Sequence, residues 1–420
     1  MDDASQGRDP TDRRVAEQYE AYPYPPRDPA REAQALIVGS PSHLAEVDHW
    51  VFGAARPASR PLNALIAGGG TGDAAIMLAQ HMADAGRAGT VTYLDRSAAS
   101  RRIAEARAQA RGLGNLVWRS DSLLDLPRLG IGPFDYIDCC GVLHHLPDPA
   151  EGLAALTSVL APGGGIGLMV YAPHGRTGIY PMQDALRLLA PTSLTPQERV
   201  ATAKRVLKAL PETNWFGRNP LITDHLVGGD AGLYDLLLHE RDRAYRVHDL
   251  AALMDAAGLE PAAWIEPRRY DPAIYLADPK LKTQAAGLPP TDRAALAEAL
   301  AGNFRTHVVY CVRKGARPAP PDPLRPEAVP VLRSLEGGVI ADSIRPDGTL
   351  VMRFDAFPLI VPLPRLARAI LKQIDGRRTL AEIRAAVVAG GAKGDAFDKD
   401  WPVLFAALNG LNRLLLKPPA

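Results

Sequence analysis

The residues best placed to do chemistry begin in LIAGGGTGDAA, where an apolar run ends in Gly68, Gly70 and Gly72 and a helix-compatible stretch follows. Glycines at a strand-to-helix turn let the backbone double back and touch a ligand, and the unpaired N–H groups of a helix start attract an anion. The spacing is G-x-G-x-G, whereas the G-x-G-x-x-G of dinucleotide sites would need its third glycine where Asp73 stands. Two later apolar runs also end in polar groups. Asp95 closes TVTYLD, and Asp121 and Ser122 follow NLVWRS. An acid in such a place caps the next helix or accepts hydrogen bonds from a ligand. The segment FDYIDCCGVLHHLPDP sets His144 and His145 near Cys139 and Cys140. Adjacent side chains diverge and no partner follows at a ligand interval, so no metal is expected there.

These residues need a scaffold. Between about Leu62 and Tyr171, short apolar runs (NALIAGG, TVTYLD, NLVWRS, FDYIDCCGVL, GIGLMVY) alternate with helix-compatible stretches such as AAIMLAQHM and ASRRIAEARAQAR. Such alternation implies βαβ units and a mostly parallel sheet covered by helices on both faces. Residues 174–246 read as a mainly helical insertion after a fifth strand, a substrate-side cap. The alternation resumes with a helix over 248–257, a strand over 261–265 and the run THVVYCV over 306–312. The expected fold is α/β, a doubly wound, mostly parallel seven-stranded sheet with a helical insertion.

Taken in order, these motifs resemble those of the class I, Rossmann-like S-adenosylmethionine-dependent methyltransferases, over roughly residues 18–312. The turn LAPGGG into strand five completes the series. The resemblance implies S-adenosyl-L-methionine as cofactor. It implies that Gly68, Gly70 and Gly72 approach that cofactor, that Asp95 accepts hydrogen bonds from ribose hydroxyls, and that Asp121 and Ser122 contact adenine. Gly141, Val142 and Leu143 would line the same pocket. The chain is similar in particular to a bacterial group with a Q-Y-E-x-Y-P-Y-P arm before the sheet and a Y-A-x-x-G-R-x-G stretch, here Tyr171–Gly178, after strand five. It departs from many relatives at Ile66, where they carry an acid to meet the methionine ammonium; another group must meet it here.

The implied activity is methyl transfer to a protein, peptide or small-molecule acceptor. An oxygen or ammonium acceptor needs a base as well. The catalytic candidates are His144, His145 and Tyr171, with His174, His225 and His239 as further imidazoles. Tyr22, Tyr24, Tyr171, Arg176 and His239 are candidates for contact with the acceptor or for a lid. Readings of other kinds are a non-catalytic cofactor-binding regulator, a peptide-binding protein and an RNA methyltransferase. The last is disfavoured, because 48 Lys and Arg against 47 Asp and Glu give a net charge of +1 and no global pull toward nucleic-acid phosphates.

The expected organisation is a disordered tail over 1–14, an N-terminal arm and helices over 15–60, the catalytic domain over 61–313, a proline-rich linker over 314–330 and a small domain over 331–420. Prolines at 23, 25, 26 and 29 make 18–29 an extended arm displaying Tyr19, Tyr22 and Tyr24. The last domain reads as strands at 337–344, 349–355 and 359–363, then helices near 364–374, 380–388 and 401–416. With DGRRT between two helices, it resembles the winged-helix domains of the peptide-chaperone type, a small α+β fold. The alternative is a packing or dimerisation domain. Three cysteines, a charged N-terminus and no apolar run of about 20 residues imply a cytoplasmic protein without disulfides or a membrane span.

Overall fold

The computed structural model describes residues 10–418. Its centre is one sheet of β1 (Leu62–Ala67), β2 (Gly89–Leu94), β3 (Leu116–Arg119), β4 (Phe134–Cys140), β5 (Leu160–Tyr171), β6 (Leu259–Trp264) and β7 (Thr306–Arg313). The spatial order is β3-β2-β1-β4-β5-β7-β6. The first five strands run parallel, and β7 slots antiparallel between β5 and β6. Strand order reverses between β1 and β4, so the connections leaving these two strands go opposite ways and open a crevice at their carboxyl ends.

Helix α1 (Pro10–Ala21) precedes the sheet. Helices α2 (Asp73–Asp84) and α3 (Ala98–Ala110) follow β1 and β2, and α4 (Pro149–Ser158) leads into β5. The insertion is built on α5 (Ile179–Leu189), α6 (Pro196–Lys208) and short turns up to Leu238, around its own core of Ile179, Leu186, Phe216 and Leu237. Helix α7 (Val247–Ala256) returns the chain to the sheet. Alternate residues of β1 explain the layers. Leu65 and Ala67 face a cluster with Leu153 and Leu156 of α4 and Leu250 of α7, while Leu62, Ala64 and Ile66 face α2 and the segment Leu44–Phe52.

No strand or helix joins β7 to β8 (Pro330–Leu332). Beyond β8 lie α8 (Gly337–Ser343), a hairpin of β9 (Thr349–Phe354) and β10 (Phe357–Pro362), α9 (Ala367–Leu371), α10 (Leu380–Ala389), α11 (Gly394–Gly410) and β11 (Leu414–Leu416), which pairs antiparallel with β8. Ile340, Phe354, Ile370, Ile383, Trp401 and Leu404 form their common core.

Several expectations need correction. Residues 337–343 are helical, because Gly337, Ile340 and Ala341 point to the core at helical spacing while Val339 and Asp342 face outward; Ile344, also buried, is the extended residue that ends the helix. The last helix starts at Gly394 and stops at Gly410. Asn412 takes a left-handed conformation with φ 56°, and the three leucines after it extend to pair with β8. The expected tail and the start of the expected arm are also partly helical, since α1 includes residues 10–14 and Gln18–Ala21. Pro23 disfavours helix only for the residue before it, so helix survives up to Ala21. The rest of the tail, 1–9, lies outside the described residues. Among these, no helix is long and apolar enough to cross a membrane, and the three cysteines are free.

Buried ions tie the arm to the glycine turn. Arg107 of α3, 1% exposed, meets Glu32 at 2.6 Å and Asp73 at 2.7 Å and donates to the Thr71 carbonyl at 2.7 Å. Arg111 shares Glu32, and Arg27 shares Asp73. Arg107→Met strands both carboxylates in part, with an expected loss of about 3 kcal/mol on chemical denaturation. A loss below about 1 kcal/mol would mean that Arg27 and Arg111 suffice.

Candidate active site

The crevice holds a cavity of about 490 Å³. Its floor is the turn after β1, where Gly68 and Gly70 take φ of 81° and 50°. The neighbours leave this turn no room for side chains. A Cβ on Gly68 would stand 2.3 Å from Val142, and one on Gly69 2.3 Å from the Tyr93 ring. Asp95 fastens the turn by accepting from the Gly70 N–H at 2.7 Å and from the Ser97 N–H at 2.8 Å. Burial raises its pKa, against the pull of these donors.

Of the cofactor residues expected from the sequence, Gly68, Gly70, Asp95, Asp121, Ser122, Gly141 and Val142 line the cavity. Gly72 does not: its Cβ would meet Ala104 of α3 at 2.8 Å, so this glycine serves helix packing, at φ 102°. Leu143 turns away into the core with Leu123 and Leu153.

The roof is α1 and the arm. Asp12, Val15 and Tyr19 of α1 line the cavity with Tyr24, Pro25 and Arg27. Thr71 donates to the Pro25 carbonyl at 2.7 Å, and Arg27 grips Asp73 with two nitrogens. The Tyr24 hydroxyl reaches Asp224 of the insertion at 3.3 Å. Tyr22 points elsewhere, stacking on Tyr234 at 5.4 Å, and anchors the arm to the insertion.

At the far end stand Tyr171, His145 and Asp235. The Tyr19 and Tyr171 hydroxyls each donate to Asp235 at 3.2 Å, and burial raises that carboxyl's pKa. His145 donates from Nδ1 to the Arg241 carbonyl at 2.7 Å, and a neutral ring held in this way has its lone pair on Nε2. His239, stacked on His145 at 3.8 Å, has the opposite tautomer. Its Nδ1 accepts from the Arg241 N–H at 3.0 Å, and burial holds the ring neutral, so Nε2 carries a proton toward the Tyr19 oxygen at 3.3 Å. His145, Asp235 and His239 bring ligand-type atoms within 4.8 Å of one another. The His239 tautomer offers a proton where a metal needs a lone pair, so the donor set favours proton transfer over metal binding.

The remaining candidates stand behind this wall. His144 lies against the Tyr171 ring at 4.0 Å, is kept neutral by burial and has no hydrogen-bond partner. The Arg176 guanidinium lies 3.6 Å from the centre of the same ring and pairs with Asp242 at 2.7 Å. These two fix Tyr171 without facing the cavity. His174 sits 4.0 Å from Glu298 and His225 packs on Phe216, both outside the cavity lining. Sequence reasoning missed Arg27, Asp138 and Asp235. The two aspartates were detectable as single acids within apolar runs.

Residues 65–166 match the family model described as a methyltransferase domain. These residues form a methyltransferase domain. A ubiquinone biosynthesis O-methyltransferase of Paracidovorax citrulli is 26% identical over 204 residues, 46% of this chain and 82% of that protein. An uncharacterised protein of Synechococcus sp. is 32% identical over 261 residues, covering 61% of each chain, so this chain spans about three fifths of that relative's length. The structure of PKMT2 from Rickettsia typhi in complex with AdoHcy superposes with a TM-score of 0.62 at 14% identity, over 90% of this chain and 75% of that one. That likeness is one of fold.

Two variants probe the floor of the methyltransferase domain. Gly70→Val forces a β-branched residue to φ 50° with its Cβ 3.2 Å from the Tyr24 carbonyl; binding of S-adenosylhomocysteine should vanish while the fold persists. Asp95→Ala should weaken it by about 1–3 kcal/mol. Unchanged affinity in both, by calorimetry, would move the ligand elsewhere. Removing residues 1–28 takes away most of the roof. The expected result is a folded sheet with weaker binding of the same ligand; altered assembly or melting at equal affinity would make the arm a packing element only.

Proposed function

We propose that this protein transfers the methyl group of S-adenosylmethionine to an oxygen or nitrogen that sheds a proton, on a protein, peptide or small-molecule acceptor. One observation carries the reading: a single cavity is lined by the glycine turn, Asp95 and His145, whose Nδ1 is committed to the Arg241 carbonyl. A turn without room for side chains beside a carboxylate at a strand end fits a nucleoside ligand, and the AdoHcy bound to PKMT2 agrees with it. The name of the O-methyltransferase relative supports the same reaction class.

S-adenosylmethionine, when bound, supplies a methyl carbon made electrophilic by the neighbouring sulfonium. The protein's share is alignment, exclusion of water and removal of the acceptor's proton. Asp95 holds the turn on which the cofactor's nucleoside would rest. The tyrosine roof keeps water out. His145 accepts the proton at Nε2, and the Arg241 carbonyl behind Nδ1 stabilises the imidazolium that forms. Tyr171, held by Arg176 and His144, fixes the wall beside it. A non-catalytic regulator would bind the cofactor equally well but has no use for a buried imidazole in the cavity wall whose Nδ1 is tied to a backbone carbonyl.

Labelled S-adenosylmethionine incubated with fractionated lysate should put label into protein, peptide or small-molecule fractions. His145→Gln should lower that turnover by about 10²- to 10⁴-fold with little change in affinity for S-adenosylhomocysteine. Full turnover in the variant would assign the proton to another group. Tight binding with no transfer into any fraction would favour the regulator, and tight NAD binding without S-adenosylhomocysteine binding would remove the cofactor assignment.

A further inference from the structure

The cavity presents more carboxylates than the protein's own cations neutralise. Asp12 pairs with Arg241, Asp73 with Arg27 and Arg107, and Asp121 with Arg119. Asp95 is met by backbone N–H groups, and Asp235, at the end away from the glycine turn, has no cation either but is met by the Tyr19 and Tyr171 hydroxyls. Among the described residues, Asp138 has no Lys or Arg at ion-pair distance. It is 1% exposed and accepts hydrogen bonds only from the Ser42 hydroxyl at 2.6 Å and the Cys140 N–H at 3.2 Å. Two neutral donors leave about half of a carboxylate's acceptor sites unused. Burial pushes its pKa up to about 7, the mark of a charge that the protein does not itself compensate.

Its position in the sheet says what would complete it. Asp138 of β4 is the register partner of Ile66 of β1. Paired residues of parallel strands project from the same face, and here that face carries Ile66 and Tyr136 together. Ile66 lies two residues before Gly68, so β1 brings no charge of its own to this side of the turn. Adjacent strands are about 4.8 Å apart, so a carboxylate one strand sideways stands at the same depth of the sheet, beside the same turn. Both Asp138 and Ile66 line the cavity.

We infer that Asp138 receives the α-ammonium of the cofactor's methionine portion, a cation that would enter this cavity with the cofactor. The assignment rests on the cofactor reading above. It gives the buried carboxylate the cation it lacks.

Asp138→Asn tests it, since the amide keeps the shape and can still bond Ser42 and the Cys140 N–H while losing the charge. Calorimetry is run with S-adenosylhomocysteine and with its deaminated analogue, which lacks only the α-amino group. In the wild type the analogue should bind about 10- to 100-fold more weakly than S-adenosylhomocysteine. The variant should lose about that factor for S-adenosylhomocysteine and under about threefold for the analogue. Its melting temperature without ligand should not fall, because a buried uncompensated charge has been removed. Equal losses for both probes would reduce Asp138 to a structural support, and unchanged affinity for both would place the ammonium elsewhere; either result overturns the assignment. A wild type that binds neither probe would defeat the cofactor reading itself, and this assignment with it.

Discussion

A carboxylate shut away from water costs several kcal/mol unless cations or donors meet it, and this chain brings four to one cavity, Asp138 and Asp235 buried and Asp73 and Asp95 half-buried. Each is met differently, and each solution recruits a different part of the chain. Asp73 needs Arg27 of the arm and Arg107 of α3. Asp95 needs the backbone of the glycine turn to stand in one conformation. Asp235, on the insertion, needs Tyr19 from α1 and Tyr171 from β5. Asp138 has Ser42, from the segment leading into the sheet. Elements far apart in sequence are thus fastened around the cavity by the requirement to satisfy its acids. The cavity organises the outer parts of the fold as much as they enclose it.

The same logic joins the C-terminal elements to the sheet. Glu46 is fully buried and is met by Ser40 at 2.7 Å, by Tyr310 of β7 at 2.8 Å, by Asn412 at 2.8 Å and by Arg333 in an ion pair. The Tyr310 oxygen also accepts from the Ser42 N–H at 3.2 Å, and Ser42 donates to Asp138. Hydrogen bonds therefore run without a break from Asn412 and Arg333, through Glu46, Tyr310 and Ser42, to a carboxylate of the cavity. Removing one partner of such a network leaves the rest buried and underbonded, so these elements hold together more firmly than their apolar contacts alone would require.

Much of the catalytic domain was legible because its signals are local. A strand that ends in glycines, an acid at the end of the next strand and runs of period two or near 3.6 each declare themselves within a dozen residues. The C-terminal elements resisted the same treatment. GGVIADSI is rich in β-branched and small residues and suits a strand as well as a helix until the core is known; Ile340 and Ala341, adjacent and both buried, then decide for the helix. The final leucines continue a helical pattern on paper. They become β11 because β8, more than eighty residues earlier, offers an edge to pair with.

The site shows where such reading stops. Gly72 belongs to the glycine pattern yet serves the packing of α2 against α3, and no spacing distinguishes a glycine that faces a ligand from one that faces Ala104. His144 and His145 are adjacent and chemically equal in sequence. Only the Arg241 carbonyl, nearly a hundred residues away, fixes one of them in the cavity wall while Tyr171 covers the other. Asp138 in YIDCC and Asp235 in LYDLLL are visible as anomalies, since an acid flanked on both sides by apolar residues needs a reason. The anomaly marks a residue as functional without saying what it serves, and that answer lies in cross-strand register: position 66 acquires its meaning only beside position 138, and nothing in either strand by itself predicts the pairing.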